Sequence, residues 1–178
     1  MHATASSRST RRLVAAVGVA AVTAGALAVA SPSLARGDDQ GSGSGDVLRS
    51  GVAASLTQDG PTLFTVTPGG APWVIDEGRV RVDQHGRLRA EVEGLVIPST
   101  TGSGTNPLDF LGASLVCNNG IVATTTPVPF SDSGDAEISQ TVPVPDNCLA
   151  PAVLFHPASA TAVTTGRYIA ASGSSAGR

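Results

Sequence analysis

From Val52 onward the apolar residues of this chain alternate with polar ones at a period of two, and turn residues return about every 8 to 14 positions. No window sustains the helical repeat for more than about two turns. A β-strand sends successive side chains to opposite faces, so the alternation predicts strands with one buried and one solvated face. We expect an all-β domain, an antiparallel β-sandwich of Ig-like, Greek-key type with about 7 to 8 strands and one disulfide.

The two ends of the 178-residue chain read differently. Arg8, Arg11 and Arg12 precede an apolar run from Leu13 to Ala30, Pro32 breaks it, and Ser33-Leu34-Ala35 supplies small residues for cleavage. Residues 1–35 are therefore expected to be a signal peptide cleaved after Ala35. Retention of the run as an anchor is the alternative, disfavoured because it is built of Ala, Val and Gly and not of Leu or Ile. Arg11-Arg12 hints at twin-arginine export, but such pairs are common in ordinary leaders, so the general secretory route is preferred. No cysteine directly follows the run to carry a lipid anchor, and no stable membrane insertion is expected after cleavage. Residues 36–50, with their Gly41-Ser42-Gly43-Ser44-Gly45 tract, read as a flexible linker. The tripeptide Arg36-Gly37-Asp38 within it matches an adhesion motif, which at three residues is a chance match. Residues 51–172 are the expected β-domain, and 173–178 a short polar tail.

All eleven basic residues are arginine, and once the leader is removed eight of them face fourteen acids, a balance near −6. Phosphate backbones require a concentrated basic patch, so nucleic acid is excluded as a partner. Charge is nevertheless ordered locally. With Gln84-His85-Gly86 as a three-residue hairpin loop and Gly86 in the left-handed conformation, Val82 faces Leu88 and Val80 faces Ala90 on the apolar side. On the other side Asp83 faces Arg87, Arg81 faces Arg89, Arg79 faces Glu91 and Glu77 faces Glu93. Such a ladder is first of all a solvated face. Its Arg79, Arg81, Arg89 and Glu91 are also the candidate surface for docking a charged partner. An earlier strand is expected at Leu63 to Thr67, followed by a Pro/Gly loop that delivers Trp73 to the core.

The only cysteines, Cys117 and Cys148, enclose three expected strands. Asn118-Asn119-Gly120 and Asp132-Ser133-Gly134 read as three-residue turns joining a strand that ends at Cys117, a second from Ile121 to Phe130, and a third from Asp135 to Val144. Asn119-Gly120 as a two-residue loop, setting Cys117 against Val122, is the open alternative. As a meander, these strands return the chain to the end of the sheet where Cys117 lies, which predicts a Cys117–Cys148 disulfide. Pro127, Pro129, Pro143 and Pro145 each remove a ladder donor and place these strand ends at an edge or a bend.

Signals of chemistry are lacking. His2, His85 and His156 make no metal-ligand spacing with one another. The aromatic content of 3% is too sparse for a stacking platform. No catalytic residue, cofactor or metal is expected.

The segments Ala71-Pro72-Trp73, Ala113 to Asn118, Gly134-Asp135-Ala136, Cys148 to Pro151 and Tyr168 to Gly173 resemble small exported actinobacterial proteins of unassigned function. That resemblance implies an exported β-domain with one cysteine pair and no particular activity. By size, export and patterning the chain is also loosely similar to neocarzinostatin-like chromophore carriers, which have two disulfides where this chain can form one. The expectation is a secreted, non-catalytic module of the cell envelope or extracellular space, acting on an unknown protein or envelope component. The alternatives are a small-molecule carrier with a cleft walled by Trp73, Phe110 or Phe155, and a secreted hydrolase.

Overall fold

The computed structural model describes residues 45–56 and 60–173. The expected leader, most of the linker and nearly all of the tail lie outside the described residues. Among the described residues there is no helix, and the strands are β1 (Asp46–Ala54), β2 (Thr67–Pro68), β3 (Glu77–Asp83), β4 (Arg87–Glu93), β5 (Phe110–Cys117), β6 (Gly120–Thr124), β7 (Val128–Pro129), β8 (Ala136–Thr141), β9 (Ala152–Ala158), β10 (Arg167–Tyr168) and β11 (Ala170–Ser172). The main sheet runs β6-β5-β9-β11-β1-β3-β4-β8, with β7 also on β5 and every pairing antiparallel. It curls into a half-barrel around one core. Val80, Val82, Leu88 and Ile138 from one limb meet Leu111, Leu115, Val153 and Phe155 from the other, and Trp73 plugs the same core at 4% exposure.

The β3-β4 hairpin has the register expected from its loop. Val82 lies opposite Leu88, Val80 opposite Ala90, Arg79 opposite Glu91 and Glu77 opposite Glu93. Gly86 adopts φ +78° and its N–H bonds the Asp83 carbonyl at 2.9 Å. Asp83 organises this turn. One carboxylate oxygen accepts the N–H groups of His85 (2.9 Å) and Arg87 (3.0 Å), and the other accepts Arg87 Nε at 2.6 Å. Burial raises the Asp83 pKa, but these hydrogen bonds outweigh it and hold the carboxyl below its usual range.

Three expectations are corrected. Residues 46–50, assigned to the linker, are the first half of β1, which fits between β3 and β11 with Leu48 opposite Val82 and Ser50 opposite Val80. Without this strand the inner edges of β3 and β11 would carry unpaired backbone groups. The strand expected at Leu63–Thr67 is a turn. Phe64 and Thr65 take φ of 49° and 70°, Leu63 and Val66 bridge across them, and only Thr67–Pro68 pairs, in parallel with β10.

The expected meander is the third. β5 does hairpin with β6, but the segment expected as one strand from Ile121 to Phe130 divides near Pro127, so that β6 and β7 pair successively with the same edge of β5. The chain then crosses to the far end of the sheet, where β8 pairs with β4. The seam between Thr126 and β8 is bridged by the Gln140 amide, which accepts from Thr126 N (2.9 Å) and donates to Thr126 O (3.0 Å) as a strand backbone would. Neither expected form of the first turn occurs. Cys117 pairs with Gly120 across a two-residue Asn118-Asn119 loop whose φ values, 54° and 68°, are both positive, as a type I′ turn requires. Asn tolerates this conformation, and the Asn118 side chain is also engaged, donating to Asn147 O at 2.7 Å and accepting from Leu149 N at 3.1 Å.

The disulfide expectation holds despite the changed topology. Cys117 and Cys148 are bonded, with their Cα atoms 4.9 Å apart.

Outside the half-barrel a second cluster, Val66, Val116, Leu154 and Tyr168, covers the outer face of β5 and β9. His156 is on this side of β9, fully buried. Its Nδ1 lies 2.6 Å from the Arg167 carbonyl, which fixes the proton on Nδ1, while Nε2 is buried without a partner. Burial depresses the pKa of His156, with the Arg167 bond opposing. The unfolded state therefore takes up a proton near pH 6.5 that the folded state refuses, and stability falls as pH drops below that value, at up to about 1.4 kcal/mol per pH unit. Urea unfolding at pH 7.5, 6.5, 5.5 and 4.5 should show this fall, and His156→Gln should flatten it. A slope unchanged by the substitution would place the titration elsewhere.

Candidate binding face

The outer surface of β1, β3, β4 and β8 is where the sequence-identified residues assemble. Antiparallel registry stacks Arg49, Arg81, Arg89 and Ser139 in one row across the four strands, and Gly51, Arg79, Glu91 and Glu137 in the next. Strands lie about 4.8 Å apart and rows on one face about 6.8 Å apart. Three arginines in line repel one another unless negative charge lies close by.

Local acids supply most of that charge. Asp46 reaches both Arg81 (2.7 Å) and Arg49 (3.4 Å), Arg79 is held by Glu91 (2.7 Å) and Glu77 (2.8 Å), and Arg87 by Asp83 (2.6 Å). The hydrogen bond and charge of Glu91 raise the Arg79 pKa further, so the guanidinium stays charged. These contacts are solvent-exposed and each contributes little stability. Three side chains are left over. Among the described residues, those of Arg89, Glu137 and Glu93 have neither an ion-pair nor a hydrogen-bond partner, and the first two line the same groove.

That groove has a volume of about 470 Å³ and is lined by Arg49, Arg79, Arg81, Arg89, Glu91 and Glu137. It adjoins a second, acidic groove of about 600 Å³ that shares Glu91 and Glu137 and adds Glu93 and Asp135. Asp135 accepts from the Ser133 hydroxyl at 2.6 Å and from Gly94 N–H at 3.0 Å, which holds its carboxyl below the usual range. The surface thus passes from basic to acidic within a few residue rows.

All four sequence-identified surface residues, Arg79, Arg81, Arg89 and Glu91, therefore share one groove. Arg49, Asp46 and Glu137 were not identified. The first two follow the Gly/Ser tract that concealed β1, and the only signal for them is the alternation of Leu48, Ser50 and Val52 with Arg49 and Gly51. Glu137 joins the groove only because β8 pairs with β4. The aromatic residues suggested for a carrier cleft lie elsewhere. Trp73 and Phe155 are in the core, Phe110 is half-buried on β5, and none of them lines either groove.

No protein-family model, no curated protein and no solved structure matches this chain.

Proposed function

We propose that the protein is a secreted, non-catalytic binding module of the cell envelope or extracellular space that docks a charged partner on the outer face of β1, β3, β4 and β8. The observation that carries this reading is the groove in which four arginines and two glutamates converge. Charge on a surface of this kind steers association and sets specificity more than it adds affinity. Export is supported by the leader-like sequence of residues 1–35 and by the disulfide, which persists in oxidising compartments. Among the described residues no helix is long and apolar enough to cross a membrane. We read the curled sheet as a Greek-key sandwich in which the β5-β9 limb packs over the β3-β4 limb. We place the protein with the small exported actinobacterial proteins it resembles.

The test uses protein purified from culture and envelope fragments of the producing organism. At 50 mM salt the wild type should be retained and at 300 mM released, because screening shortens the reach of surface charge. The Arg79→Ala, Arg81→Ala, Arg89→Ala triple variant should keep a cooperative melt while its retained fraction drops at least about five-fold. Retention of a folded triple variant at the wild-type level would overturn the reading.

A further inference from the structure

The geometry points to the occupant of this face being an extended peptide segment of a partner protein, carrying an acidic and a basic side chain two residues apart. The acid would sit on Arg89 beside Ser139, and the base on Glu137 beside Glu91. The inference rests on the docking role proposed above and specifies what docks.

The two charges of the groove that lack partners have opposite sign. Arg89 lies opposite Ser139, and Glu137 lies opposite Glu91, so the two are diagonal neighbours one row apart. An extended peptide repeats its side chains on one face at the spacing of the rows beneath it, about 6.8 Å. A segment lying along β4 therefore brings one side chain over the Arg49-Arg81-Arg89 row and its i+2 neighbour over the Glu91-Glu137 pair. Each of its charges meets a charge of opposite sign that has no competing partner among the described residues.

The same layout selects against other anions. A polyanion extended along this face would leave the arginine row and meet Glu91, Glu137, Glu93 and Asp135 in the adjoining groove. Like charges placed directly opposite one another are unfavourable, and building in such repulsion is how a surface rejects the wrong partner. A free phosphate would have only the arginine row and would sit beside the Glu91-Glu137 pair.

The probes are capped seven-residue threonine-rich peptides, carrying at positions three and five Glu and Lys, Glu and Glu, or Lys and Lys, with inorganic phosphate as a fourth probe. Binding to the full exported protein is read by fluorescence anisotropy at 20 mM salt, phosphate as a competitor. The Glu/Lys peptide should bind about five-fold more tightly than either like-charged peptide, a ratio equal to one exposed charge pair of about 1 kcal/mol. Arg89→Ala should remove that advantage over the Lys/Lys peptide, and Glu137→Gln should make the Glu/Glu peptide the equal of Glu/Lys or better. Since both side chains are without partners among the described residues, neither variant should shift the melting temperature. A wild type that prefers Glu/Glu or phosphate, or whose preference ignores Glu137→Gln, would overturn the inference. Envelope retention that needs the arginines, with no peptide bound, would overturn it while leaving the docking role standing. The stated peptide preference without envelope retention would establish the site and remove the envelope role.

Discussion

A Cys117→Ala, Cys148→Ser double variant is expected to unfold with about 3 to 4 kcal/mol less stability than the wild type, roughly 15 °C in melting temperature for a domain of this size. The cysteines are separated by 31 residues, and closing such a loop in the unfolded chain accounts for about 3.7 kcal/mol in the chain-entropy treatment. The native state gives little of this back. The Asn118 amide still clamps Asn147 and Leu149, and Asn118 N still bonds Leu149 O at 2.9 Å, so the crossing segment keeps its place without the covalent bond. The loss therefore arises mainly in the unfolded ensemble, which should expand and steepen the dependence on urea. Urea unfolding of both proteins at pH 7.5 measures the two quantities together. A loss under about 1 kcal/mol would mean that the unfolded chain without the bond stays nearly as compact as the cross-linked one, and would overturn the expectation.

This pair also marks how far the sequence could be read. The Cys117–Cys148 bond was expected from a three-stranded meander that does not exist, because β8 pairs with β4 and not with the strand before it. What made the pairing right was a cruder fact. Two cysteines in a chain with no others have only each other, whatever the strands between them do. The β3-β4 hairpin was read correctly from Val82 opposite Leu88 to Glu77 opposite Glu93, for a different reason. Its register depends on one loop, and Gly86 with Asp83 determines that loop locally.

Long-range pairing left no comparable mark. Nothing in Ala136–Thr141 says that its neighbour is β4, some 45 residues earlier, since any alternating strand satisfies that edge equally. The same limit divided the candidate face. Arg79, Arg81, Arg89 and Glu91 belong to one hairpin and were found together, whereas Arg49 and Glu137 arrive on strands whose partners are set by the whole sheet. The Asn118-Asn119 turn failed on a finer point. Asparagine and glycine both accept positive φ, so Asn-Asn-Gly admits more than one loop, and the hydrogen bonds of Asn118 to the 147–149 segment decide among them.

Gly134→Ala is expected to cost about 3 kcal/mol and to weaken binding at the charged face as well. Gly134 adopts φ +86° at the point where the 131–135 turn passes Leu95, accepting a hydrogen bond from Leu95 N at 2.9 Å. A methyl group there would stand 2.5 Å from the Leu95 nitrogen and carbonyl oxygen, backbone atoms that cannot rotate away. The left-handed conformation adds about 1 kcal/mol for alanine, and overpacking another 1 to 3. The turn has little freedom to adjust, because Asn106 Nδ2 holds Ser131 O at 2.9 Å and Asp135 holds Gly94 N–H on the other side. Gly120→Ala is the control, with no positive φ and nothing within 4 Å of the added methyl, and should change stability by less than about 0.5 kcal/mol. Equal stabilities for the two variants in urea would refute the close approach at Leu95. Because this turn leads directly into β8, a displacement at Gly134 is passed to Glu137, whose place beside Glu91 depends on the β4-β8 register. The Gly134→Ala protein, where folded, should therefore lose its preference for the Glu/Lys peptide while Gly120→Ala retains it, which ties the arrangement of the groove to the one turn that carries the chain across the half-barrel.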